Sequence, residues 1–182
     1  ENNEQAYLNK RILYIIDKKS PDYPKVAPYG RNIIPFMSLR HMCCLLAAEL
    51  IISSDSKYHA YATQCRHSIF NRYIKKKKSV FLQHGVTALK RVDAFYGKGM
   101  RSGCDLFIVT NTMEEKIILD NFGYEPAEVA NTGFARWDVL KDRSDLSHPS
   151  ILVMPTWRSW LEDQSDETFR QSSYYREYAA LL

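Results

Sequence analysis

The chain has 182 residues, with 25 Lys and Arg against 21 Asp and Glu and a formal net charge of +4. Hydrophobic residues make up 45% and aromatics 13%, enough to bury a core, so wholesale disorder is excluded. Seven Gly and seven Pro exclude a collagen-like or linker-like chain, and the longest apolar stretch, Met42 to Ile52, is interrupted by Glu49 and falls short of the roughly 18 residues a membrane-spanning helix needs.

The chain opens on Glu1 without the basic, apolar and cleavage segments of a secretory signal, so none is expected. Ile12 to Ile16 reads as a buried strand ending at Asp17, followed by a loop with Pro21, Pro24, Pro28 and Gly30. Ser38 is placed to cap a helix through about Ala48, and Leu50-Ile51-Ile52 then reads as a second strand. Val80-Phe81-Leu82 is a third and Leu106 to Val109 a fourth. Thr112 with Glu115 three residues later has the form of a capping box. Met113, Ile117, Ile118 and Phe122 make an apolar face at helical spacing, and Gly123 is placed to end that helix. A short strand around Val129 follows, and Ile151 to Met154 reads as another buried strand stopped by Pro155.

Short, nearly all-apolar strands alternating with helices predict an α/β fold, a parallel sheet with helices on both faces. Residues 141–150 are polar and charged and read as a linker. The strand after it would open a second α/β unit, of which one strand and one or two helices cannot close a core, so that unit is expected to be incomplete at Leu182. The expected division is thus 1–140, a linker at 141–150, and 151–182 as the start of a second domain.

Cys43, Cys44, Cys65 and Cys104 form no CxxC pair and read as reduced thiols of a cytosolic protein. Cys65 and His67 lie two apart with no second ligand pair, so no zinc site is expected. No Asp-x-Asp pair is present to hold a metal between phosphates, and no cofactor is expected. The absence of GxGxxG, GxxxxGK[ST] and GxSxG argues against a dinucleotide-binding oxidoreductase, a P-loop enzyme and an α/β-hydrolase.

From Ser56 to Val92 there is no Asp or Glu, while Lys57, Arg66, Arg72, Lys75, Lys76, Lys77, Lys78, Lys90 and Arg91 all carry positive charge. Such a block attracts polyanions or an anionic membrane face. It is equally read as a solubilising loop in which Lys75 to Lys78 guard the strand that follows. No RNA- or DNA-binding signature accompanies it, so nucleic acid is not an expected partner.

In an open parallel α/β sheet, ligands bind in the crevice beyond the carboxyl ends of the strands. His84 follows the third strand directly, and Gly85 beside it would let the backbone turn sharply and approach a ligand. An imidazole there can take a proton from a hydroxyl, or merely hydrogen-bond a loop carbonyl. Arg136, after Thr132-Gly133, could pair with a phosphate or with Asp138. Thr156 and Arg158, after the last strand, offer a hydroxyl and a guanidinium. For both arginines a structural ion pair is the competing reading.

Five segments together carry a resemblance. Phe81-Leu82-Gln83-His84-Gly85-Val86-Thr87, Asp105 to Val109, Phe122-Gly123-Tyr124, Thr132 to Asp138 and Met154-Pro155-Thr156-Trp157-Arg158 occur in an order and spacing that resemble the CDP-glycerol glycerophosphotransferases, the teichoic acid primases and polymerases of Gram-positive bacteria. The resemblance covers roughly residues 78–182, and the first 77 match only in general α/β character. It implies a GT-B architecture, two Rossmann-like domains facing across a cleft, with the acceptor on the N-terminal side and the CDP-alcohol mainly on the other. It implies a cytoplasmic enzyme held peripherally at the inner face of the cell membrane, which the basic block fits independently.

The resemblance also makes His84 the catalytic base. It would deprotonate the terminal hydroxyl of a lipid-linked polyol-phosphate acceptor, whose oxygen attacks the β-phosphorus of CDP-glycerol as CMP leaves. Gly85, Thr87, Lys90, Arg136, Asp138, Thr156 and Arg158 are the implied substrate-binding residues, with Lys90, Arg136 and Arg158 neutralising phosphate charge. Two alternatives stay open: a GT-B glycosyltransferase using a nucleotide sugar or CDP-ribitol, and a non-catalytic basic module that binds anionic polymer or membrane.

Overall fold

A computed structural model describes residues 12–60, 69–87, 91–152 and 158–180. The chain divides into two compact units, one through Leu140 and one from Lys141.

The first unit is α/β with parallel strands throughout, Rossmann-like in its alternation of strand and helix. Its larger sheet has four strands in sequence order: β3 (Leu50–Ser53), β4 (Lys78–Phe81), β5 (Leu106–Val109) and β6 (Val129–Asn131). Register pairs Ile52 with Val80, Phe81 with Phe107, and Phe107 with Val129. The helices connecting and preceding these strands are α2 (Leu39–Ala47), α3 (Ile69–Lys76), the single turn α4 (Asp93–Tyr96) and α5 (Thr112–Asn121). Parallel strands need such crossovers, and helix-covered strands become apolar runs: Phe107 and Val109 have no exposed surface. Phe107 sits at the centre of the core, edge-on to Phe81 at 5.0 Å and to Tyr124 at 5.3 Å, with Ile118 and Phe122 of the α5 region against it. Each large side chain so enclosed contributes about 1.5–3 kcal/mol. Leu45, Ile51 and Ile74 form a second cluster under α2 and α3.

Ser38 caps α2 as its sequence predicts, its side chain accepting from the His41 amide at 3.1 Å. Other expectations are corrected. The first strand, β1 (Tyr14–Ile16), is shorter than expected and not buried, with Ile12 and Tyr14 both exposed. It pairs in a separate two-stranded sheet with β2 (Ile33–Pro35), inside the stretch read as a loop, which also holds the short helix α1 (Tyr23–Val26). Proline is confined to strand edges, so a three-residue strand ending in Pro35 leaves a weak trace in the sequence. The cap of α5 is Asn111 rather than Thr112: its side chain accepts from the Glu114 amide at 2.9 Å. The buried face of α5 therefore runs Glu114, Ile118, Phe122, and Met113 points to solvent. Gly123 ends the helix in the left-handed conformation, φ +73°, which only glycine adopts at little cost.

The second unit is helical among its described residues, with α6 (Asp166–Gln171) and α7 (Ser173–Ala179), capped by Ser165 and Ser172. The buried strand expected from Ile151 is not found at its start. Ile151 and Leu152 are 91% and 82% exposed, and no strand is described in this unit to pair with them. Val153 and Met154 lie outside the described residues. Residues 141–150 are irregular and exposed throughout.

Candidate active site

The carboxyl ends of β3, β4, β5 and β6 all open on one edge of the sheet, as a parallel arrangement requires. The loop after β4 is held there by a buried carboxylate. Glu114, with no exposed surface, lies in the first turn of α5. It accepts from the Thr87 amide (2.8 Å), the Thr87 hydroxyl (2.9 Å), Gln83 Nε2 (3.1 Å), the Thr110 amide (2.8 Å) and the Thr110 hydroxyl (2.7 Å). Burial alone would raise the Glu114 carboxyl. The Thr87 amide, the Thr110 hydroxyl and amide, and Gln83 outweigh it and leave the group below the ordinary carboxylate value. The side chain is thus an ionised tie between the β5–α5 turn and residues 83 and 87.

Gln83 is buried and adopts φ +62°, a strained conformation for a residue other than glycine. Its amide Nε2 offsets that cost by donating to the Ile108 carbonyl at 2.6 Å as well as to Glu114. Turning the backbone at Gln83 sends the next side chain outward, and His84 is exposed. The imidazole is not loose. Its Nδ1 lies 2.9 Å from the Ser54 carbonyl, at the end of β3, and its ring meets the edge of Phe81 at 6.4 Å. A carbonyl can only accept, so Nδ1 carries a proton toward Ser54, and Nε2 is the ring nitrogen left to act as a base.

Arg136 comes to the same place from beyond β6. Its Nη1 donates to the His84 carbonyl at 3.2 Å, and its guanidinium lies 4.1 Å from the centre of the Phe134 ring. Gly133, at φ +76°, makes the turn that brings this segment round. The sharp turn of the His84 loop is made by Gln83 and not by Gly85, whose φ lies outside the left-handed region. A Cβ placed on Gly85 would meet nothing within 4 Å.

Asp55 is a neighbour that the sequence reading missed. It accepts from the Ser56 amide (2.6 Å) and the Tyr96 hydroxyl (3.2 Å) and pairs with His59 (3.1 Å). Burial pushes its carboxyl up, but the Ser56 amide, the charge of His59, Tyr96 and the nearby His84 together bring it below its usual value. Nothing in the sequence singles out Asp55 or Glu114. Both become visible only when β3, β4 and β5 lie side by side.

Of the predicted site residues, His84, Gly85, Thr87 and Arg136 are brought together. Asp138 is exposed on the turn after Phe134 and does not pair with Arg136. Arg158 belongs to the second unit, where it lies over the rings of Trp160 (5.7 Å) and Tyr174 (5.5 Å). Lys90 and Thr156 lie outside the described residues, as do Cys65 and His67. Among the described residues, no group of three or more His, Cys, Asp or Glu is arranged to hold a metal ion, and no helix is long and apolar enough to cross a membrane.

The sequence profile of the CDP-glycerol:poly(glycerophosphate) glycerophosphotransferases matches residues 1–179. The chain belongs to that family. The match takes in the first 77 residues, where the motifs alone gave only general α/β character. The chain is also similar to the minor teichoic acid biosynthesis protein GgaB of Bacillus subtilis (strain 168), 28% identical over 182 residues, covering 93% of this chain and 19% of that protein. It therefore spans about a fifth of that relative's length. No solved structure matches it.

Proposed function

We propose that this chain is the base-bearing part of a glycerophosphotransferase that moves glycerol phosphate from CDP-glycerol to a hydroxyl of a membrane-linked teichoic acid acceptor. The observation that carries the reading is the exposed imidazole of His84, beyond the carboxyl end of β4, with Nδ1 engaged by the Ser54 carbonyl. Family membership supports the choice of donor.

In this reading Nε2 of His84 takes the acceptor hydroxyl proton. The acceptor oxygen forms a bond to the β-phosphorus, the bond from that phosphorus to the oxygen bridging the two phosphates breaks, and CMP leaves with the electron pair. A positioned base of this kind is worth about 10²- to 10⁴-fold in rate. Arg136 adds positive charge beside the base, and the space over Gly85 admits substrate backbone or phosphate close to the chain. Thr87 serves the site through Glu114, as a positioning residue. Lys90, Asp138, Thr156 and Arg158 complete the proposed binding set.

The wider proposal is a GT-B enzyme working at the inner face of the membrane. Residues 1–140 form its acceptor-side domain, 141–150 its linker, and 151–182 the opening of its donor domain. The test incubates full-length protein with a polyol-phosphate acceptor and, separately, CDP-glycerol, CDP-ribitol and UDP-sugars. CMP release with CDP-glycerol alone is expected. UDP release, or no release with any donor, would overturn the reading.

A further inference from the structure

A concave feature lies away from His84. A cleft of about 530 Å³ opens where β4 and β5 begin, and it is lined by Lys57, Lys75, Lys76, Lys77, Lys98 and Arg101 against a single acidic side chain, Asp105. Several of these groups have structural partners. The Lys57 ammonium reaches the Lys77 carbonyl at 3.3 Å, Lys77 reaches the Leu46 carbonyl at 2.6 Å, and Lys98 pairs with Glu128. Asp105 accepts from the Ser79 amide and hydroxyl at the start of β4. Lys75, Lys76 and Arg101 differ: all three are exposed, and none pairs with a carboxylate among the described residues. Arg101 is instead braced over the Tyr58 ring at 5.3 Å.

The end of α3 accounts for part of this charge, since a helix C-terminus favours cations. It does not account for Arg101, which comes from a different loop and faces the same hollow. Like charges gathered in a concavity raise the local concentration of anions. A hollow of this volume takes several linked phosphates, whereas the flat plane of a membrane surface would meet only its rim.

We propose that this cleft binds the phosphodiester backbone of an anionic polymer, holding the acceptor chain upstream of the end that reaches His84. The polymer's role as acceptor rests on the function proposed above; the anion site does not. His84 lies seven positions after Lys77, so their backbones lie no more than about 25 Å apart at roughly 3.6 Å per residue. A chain of a few polyol-phosphate repeats covers that span.

The experiment uses full-length protein and a fluorescently labelled oligo(glycerol phosphate) of defined length, with binding followed by anisotropy across a salt series. The variants are Lys75→Gln/Lys76→Gln and, separately, Arg101→Gln, each checked for an unchanged melting temperature. The double variant is expected to bind at least tenfold more weakly and to lose between one and two units of salt slope. The Arg101 variant should lose about one unit. The advantage of long over short acceptors in KM should shrink in both. Unchanged binding in both variants overturns the proposal. So does a loss confined to anionic vesicles free of polymer, which would make the cleft a headgroup site. Probe binding requires no turnover. An inactive but polymer-binding protein whose variants lose the polymer would refute the role of His84 and leave the cleft established.

Discussion

Replacing Glu114 by Gln keeps the side chain's shape and removes its charge. The carboxylate meets only donors: two from Thr87, two from Thr110 and one from Gln83. An amide can present its oxygen to one side only. If that oxygen faces Thr87 and Gln83, its NH₂ group faces the Thr110 amide, which cannot become an acceptor. One buried N–H then loses its partner, at a cost of about 1–3 kcal/mol, and the bonds that remain drop from charge-assisted to neutral strength. A total of about 3 kcal/mol follows, or about 6–12 °C in melting temperature for a unit of this size. The sign with pH is fixed by the depressed carboxyl of the folded state. Its contribution is complete above the ordinary value of 4.5 and disappears as pH falls through the lower folded value. Urea unfolding between pH 7 and pH 3 should therefore show an acid limb in the parent that is reduced in Glu114→Gln. Loosening residues 83–87 should lower kcat more than it raises KM, because His84 moves with that loop. A change within 0.5 kcal/mol together with an unaltered acid limb would refute the role given to this carboxylate.

Two further substitutions separate structure from function. Gly85→Ala should leave stability unchanged within about 0.5 kcal/mol, since its methyl meets nothing within 4 Å, yet raise KM several-fold if substrate occupies that space. Unaltered kinetics would place the substrate elsewhere. His41 is fully buried, its Nδ1 accepting from the Met37 amide at 2.9 Å. Burial, opposed in part by the nearby Ala60 backbone, holds this histidine below its ordinary value of 6.5. It is therefore folded as the neutral ring, and its contribution is complete above pH 6.5 and lost as pH falls through the folded value. Unfolding free energy measured from pH 7 to pH 5 should fall, and the fall should be smaller in His41→Gln.

The legible parts of this fold are those that neighbours in sequence decide. Apolar runs placed β3 to β6 correctly, Ser38 marked the start of α2, and the position of His84 after β4 followed from the run that precedes it. What stayed hidden depends on residues distant in the chain. Glu114 reads as a solvent-facing acid on a helix, because Met113 is the more apolar choice by one position. Thr110 lies in the turn just before Glu114, but only Gln83 and Thr87, supplied by another loop, complete the set of donors that makes burial of its charge favourable. The contact from Arg136 to the His84 carbonyl joins residues 52 apart. Helix α3 was obscured by the lysines at its end, which read as a solvated loop. At the strand expected from Ile151 only Ile151 and Leu152 are described, and both are exposed: apolar residues are buried only where other strands and helices cover them.

The central claim is that the outward-turned imidazole of His84 accepts the acceptor proton. Single-turnover release of CMP from CDP-glycerol by full-length His84→Ala tests it most directly, alongside circular dichroism and melting temperature to verify the fold. The expected result is a rate lowered at least a hundredfold with an unchanged melting transition. A folded variant that releases CMP within threefold of the parent rate would contradict the account.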